Sequence, residues 1–154
     1  MMKKQGSARQ CFVCGVENPY GLHLKFYESG PGETHAEIVV PERYQGYPGI
    51  VHGGVIAAML DEVSGRAFIG DNPPRFMVTV KLSVRYRRPV PVETLLVLKG
   101  HAGEDKGRAA YATGEIYDAQ GVLLAEAETV LADIPPDVGG MTELGEDDWK
   151  VYPD

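Results

Sequence analysis

Apolar and polar residues alternate with a period of two in several stretches of this 154-residue chain. Leu22, Leu24 and Phe26 alternate with His23, Lys25 and Tyr27. Beyond the turn Ser29-Gly30-Pro31-Gly32, Thr34, Ala36, Ile38 and Val40 alternate with Glu33, His35 and Glu37. A strand that buries one face reads this way, so the two stretches predict a hairpin. The sharpest alternation sets Phe76, Val78, Val80, Leu82, Val84 and Tyr86 against Met77, Thr79, Lys81, Ser83, Arg85 and Arg87, a long strand expected at the centre of its sheet. Residues 95–101, 108–117 and 122–131 bring the expected strands to about six, the last two joined through Asp118-Ala119-Gln120-Gly121.

One segment breaks the alternation. After the irregular stretch 41–51, with Gly46, Pro48 and Gly49, the run from Val55 to Ile69 is apolar on nearly every side and predicts a buried helix. Gly70-Asp71-Asn72-Pro73-Pro74 stops it. Two strands, a helix and four antiparallel strands predict a two-layer α+β fold in which a curved sheet wraps a central helix. Residues 1–10 are expected to be a flexible arm, 11–133 the folded domain, and 134–154 an acidic tail in which Trp149, Val151 and Tyr152 are the residues able to dock.

Composition narrows the function classes. With 44% hydrophobic and 24% charged residues the chain reads as one ordinary globular domain, and no apolar run approaches the roughly 20 residues that span a bilayer. Residues 1–6 lack the apolar stretch of a secretory signal, so the expected location is the cytoplasm. The net charge of −7 is concentrated in the tail, where six acids face Lys150 alone, and the near-neutral remainder lacks the clustered positive charge of a nucleic-acid surface.

The helix carries the candidate chemistry. Asp61 and Glu62 interrupt its apolar run, and an ionised carboxylate in a dry interior costs several kcal/mol unless it is paired, solvated or neutralised. Gly53 and Gly54 open the helix, where unpaired N–H groups and the positive end of the dipole suit a carbonyl oxygen that gains charge during acyl transfer. At 1.5 Å rise per residue, Gly53 and Asp61 lie about 12 Å apart along one helix, too far to act on one carbon. If both act on the same carbon, they come from two chains meeting across a two-fold axis, which predicts at least a homodimer and leaves open its doubling into a tetramer.

His52-Gly53-Gly54 followed by Asp61, together with 45–51 (Gln-Gly-Tyr-Pro-Gly-Ile-Val) and 86–91 (Tyr-Arg-Arg-Pro-Val-Pro), resembles the hotdog-fold acyl-CoA thioesterases of the phenylacetic acid degradation (PaaI-type) group over roughly residues 11–133. The resemblance implies the hotdog fold, hydrolysis of an acyl-CoA thioester without metal or prosthetic group, and catalytic roles for Asp61, His52 and Gly53. It also implies a substrate-side place for Gly54 and for Thr79. Arg87 and Arg88, in a basic stripe with Lys81 and Arg85, are read as a phosphate contact for coenzyme A or as a solvated sheet face. Glu62 is read as structural or partner-pairing. The pair Cys11-x-x-Cys14 has only His23 close by as a third ligand, so turn-forming thiols are preferred to a metal site. A hotdog hydratase or dehydratase and a non-catalytic acyl-CoA or metal-binding module are the alternative classes.

Overall fold

The computed structural model describes residues 1–70, 73–135, 138, 145 and 148–154. Its strands are β1 (Lys3–Lys4), β2 (Ser7–Ala8), β3 (Phe26–Gly30), β4 (Glu33–Val39), β5 (Met77–Tyr86), β6 (Leu95–Asp105), β7 (Ala109–Asp118), β8 (Leu123–Asp133) and β9 (Trp149–Lys150). The helix α1 (Gly53–Gly65) continues into a 3₁₀ turn over Arg66–Phe68. Seven strands form one antiparallel sheet in the order β1-β3-β4-β6-β7-β8-β5, with β2 and β9 paired apart from it. This is the hotdog fold: one central helix against a large antiparallel sheet.

Two glycines let the helix lie directly on the sheet. Gly100 of β6 and Gly114 of β7 face each other in register. A Cβ on Gly100 would collide with the Val63 carbonyl of α1, and one on Gly114 would come within 3.0 Å of the Leu60 carbonyl. Backbone therefore packs on backbone where any side chain would hold the helix away. Met59, Leu60 and Val63 are fully buried there among Phe26, Leu96, Leu98 and Ile116, and the buried Ser64 hydroxyl is paired with that of Thr129 at 2.8 Å. The sheet-facing side of α1 is thus closed, whereas Ala57, Ala58, Asp61 and Glu62 remain half-exposed.

Three expectations are corrected. The long strand β5 is an edge strand, bonded to β8 alone among the described residues, because its other side meets no further described strand. Its Val78 and Val80, 44% and 65% exposed, lie open to solvent. Leu22 and Leu24 are buried as their alternation demands, but their N–H groups donate to the carbonyls of Phe12 and Val13 at 2.8 Å and do not extend the hairpin, which begins at Phe26. Residues 1–10 supply β1 and β2, and β2 pairs with β9, whose Trp149 packs edge-on against Phe76 and beneath the Arg66 guanidinium. Asp71 and Asn72 of the helix stop, and the tail residues 136–137, 139–144 and 146–147, lie outside the described residues.

Candidate active site

The N-terminus of α1 opens onto a cleft of about 620 Å3 lined by Tyr47, His52, Gly53, Ile56, Tyr86, Arg87 and Arg88 among others. His52 is the N-cap: its Nδ1 accepts the Gly54 N–H at 2.9 Å. An imidazole nitrogen that accepts carries no proton, so Nε2 holds the hydrogen and is the face available to a ligand. This bond corrects the reading of Gly54 as a free donor, because its amide is consumed by the cap. The lack of a side chain at Gly54 serves the imidazole, whose Nδ1 would lie 3.1 Å from an added Cβ. Gly53, at the first helical position, keeps an N–H that the helix itself cannot pair.

Tyr86, at the end of β5, donates its hydroxyl to the Gly53 carbonyl at 2.7 Å and ties the helix start to the sheet edge. Sequence reasoning missed this residue; the signal was a tyrosine closing the sharpest alternation, directly before Arg87 and Arg88. The N–H groups of both arginines donate to the Leu124 carbonyl, at 2.9 and 3.0 Å, which ends the β5–β8 ladder beside the cleft. Arg87 is held in a forked ion pair with Glu126 at 2.9 and 3.1 Å. Arg88 has no acidic partner among the described residues.

Asp61 sits elsewhere, in a groove of about 160 Å3 shared with Glu62, Arg66, Thr79 and Trp149. The Thr79 hydroxyl donates to its Oδ1 at 2.5 Å. Burial pushes the Asp61 carboxyl above its ordinary value, and the negative charge of Glu62 adds to this, while the Thr79 hydrogen bond opposes it. The fold therefore brings His52, Gly53, Arg87 and Arg88 together at one cleft, which Gly54 does not line, and Asp61 with Thr79 at another. The two cavities share no lining residue. One holds a hydrogen-bond donor at a helix N-terminus beside an imidazole; the other holds a carboxylate fit to take a proton or attack a carbon.

Glu62 pairs with Arg66 at 3.0 Å. Its carboxylate and the sulfurs of Cys11 and Cys14 are the group of potential metal ligands found among the described residues. The hydrogen bond between the thiols lowers Cys11 to about 7 and raises Cys14. His23, the third ligand considered from sequence, instead bonds the Asn18 carbonyl through Nε2.

A glycine-opened helix start and a carboxylate two turns on are thus carried by one hotdog scaffold. The family model of the thioesterase superfamily matches residues 48–125, from the loop ahead of His52 into β8, and the chain belongs to that superfamily. Mouse acyl-coenzyme A thioesterase THEM4 is 26% identical over 137 residues, covering 88% of this chain and 58% of the mouse protein. The chain thus spans little more than half the length of that relative. A thioesterase superfamily protein of known crystal structure superposes with a TM-score of 0.74 at 33% identity, over 81% of this chain and 61% of that one. A Streptococcus mutans UA159 protein solved bound to acetyl CoA shares the fold, with a TM-score of 0.65 at 19% identity over 72% and 88% of the two chains. No helix among the described residues is long and apolar enough to cross a membrane.

Proposed function

We propose that the chain is an acyl-CoA thioesterase working as a homodimer, in which the helix start of one protomer and Asp61 of the partner subunit complete each site. The observation that carries this reading is the division of the candidate residues: Gly53 and Asp61 belong to one helix but open into separate cavities of one chain. A second copy is what would unite them. The edge of β5, unpaired among the described residues and with Val78 and Val80 exposed, and the half-exposed face of α1 supply the surface on which such a copy fits.

In this account the Gly53 N–H donates to the thioester carbonyl oxygen and stabilises the charge that gathers there as the carbon becomes tetrahedral. The Nε2–H of His52 holds the reacting group. The carboxylate of the partner subunit's Asp61, oriented by Thr79, drives attack on the carbonyl carbon; the C–S bond breaks, coenzyme A leaves as the thiol, and water supplies the oxygen and protons of the free acid and thiol. Arg88, without an acidic partner among the described residues, meets the phosphates of coenzyme A, and Arg87, held by Glu126, lines the entrance. The names of THEM4 and of the acetyl CoA complex support acyl-CoA as the substrate class. The motif residues quoted above support the PaaI-type group within the superfamily.

A hydrolysis panel over acetyl, medium-chain, long-chain and aromatic CoA esters tests the reading. The parent is expected to cleave at least one class, and Asp61→Asn to lose about 100-fold or more in kcat while still binding CoA. Near-parental turnover by Asp61→Asn on every ester that the parent cleaves makes Asp61 a structural acid.

A further inference from the structure

The proposed hydrolysis leaves one reactive cluster unused. Cys11 and Cys14 lie in a turn ahead of β3, Glu62 lies on α1 beside Asp61, and one ligand atom from each falls within 4.8 Å of the others. The turn is built, not incidental. The Gly15 N–H donates to the Cys11 carbonyl at 2.8 Å, the Cys14 N–H approaches the Cys11 sulfur at 3.4 Å, and Leu22 and Leu24 clamp the carbonyls between the two cysteines. A Cβ on Gly15 would collide with the Cys11 backbone, so a glycine after the second cysteine is a requirement of this turn. The buried Arg66 guanidinium binds Glu62 Oε1 at 3.0 Å, which fixes the carboxylate as an outer hydrogen bond fixes a metal ligand. Both carboxylate oxygens lie 3.9 Å from the Cys11 sulfur, and Oε2 is the one that Arg66 Nε leaves open.

We propose that Cys11, Cys14 and Glu62 form a binding site for a zinc-class divalent cation, with a fourth, exchangeable position beside the half-buried Cys11. Two sulfurs and a carboxylate oxygen are a borderline-soft set, and in a tetrahedron with Zn–S near 2.3 Å and Zn–O near 2.0 Å the ligand atoms stand about 3.5 to 3.8 Å apart. Closure of at most about 1.3 Å, from 4.8 Å to about 3.5 Å, brings the present cluster to that size. Charge also balances. Two thiol protons leave as one divalent cation enters, and the single excess negative charge of the metal with two thiolates and Glu62 is matched by Arg66. The bound cation would pin the N-terminal segment to α1 one residue from Asp61. This inference is independent of the hydrolytic reading.

Reduced protein purified without chelator is analysed for metal by mass spectrometry, and the apo-protein is titrated with cobalt(II) and zinc. The expected result is one zinc per chain and a thiolate-to-cobalt charge-transfer band, both lost in Cys14→Ser. Cys11→Ser, at the less buried position, carries the same test if Cys14→Ser does not fold. Glu62→Gln, which keeps the side-chain volume and can still accept from Arg66, is expected to weaken zinc binding at least about tenfold by chelator competition. The proposal is overturned by an absent cobalt–thiolate band, by equal zinc binding in the cysteine variants, or by a Cys11–Cys14 disulfide that forms in air from protein that took up no zinc when reduced.

Discussion

Half-buried on an apolar helix, the Asp61 carboxylate has one side-chain hydrogen bond, from Thr79, to set against the cost of burial and the nearby charge of Glu62. Asn keeps the shape and accepts the same bond without the charge, so Asp61→Asn is expected to leave stability level or raise it in urea unfolding at pH 7. A loss above about 1 kcal/mol would show that the carboxylate holds structure. The prominence of this residue was legible in sequence, because a carboxylate inside an apolar run conflicts with its surroundings. The division of labour between the two glycines was not. Only the structure shows that the imidazole of His52 folds back to accept the Gly54 N–H, so that the two glycine amides are not equivalent. The meeting of Glu62 with Cys11 was equally hidden, since 51 residues separate them and no local pattern couples a turn to a helix.

At the scale of elements, the seating of α1 depends on Gly100 and Gly114. Gly100→Ala drives a methyl into the Val63 carbonyl, and the expected loss is about 1 to 3 kcal/mol or more by chemical denaturation, as for other overpacked cores. Gly100 has no positive φ, so the expected loss is steric. If Gly100→Ala costs less than about 0.5 kcal/mol, the close approach of helix and strand is not what fixes their packing. The order of strands and helix followed from the periods of the hydrophobic pattern. What the pattern could not assign was position within the sheet. The alternation of β5 reads as a strand with two distinct faces, yet Val78 and Val80 are open in this chain, because period two records which residues share a face and not what covers it. The same limit explains Leu22 and Leu24, buried as expected but bonded to the cysteine turn.

For the whole molecule, the Gly53 cleft and the Asp61 groove lie apart in one chain, so the proposed hydrolysis depends on assembly. The twofold reading was available from helix geometry alone, since eight residues of α-helix put about 12 Å between the two groups. Its direct test is a mixed dimer. Gly53→Pro removes the N–H at a first helical position where proline is tolerated, and His52, at φ −56° and ψ 136°, already has the extended backbone that precedes proline. Each homodimer, Gly53→Pro or Asp61→Asn, is expected to be inactive. The purified heterodimer, with a different tag on each chain, unites the intact Gly53 of one chain with the intact Asp61 of the other at one of its two sites. With one complete site in two, that heterodimer is expected to show about half of the parental kcat; activity no higher than that of the two inactive homodimers would contradict a site shared between protomers.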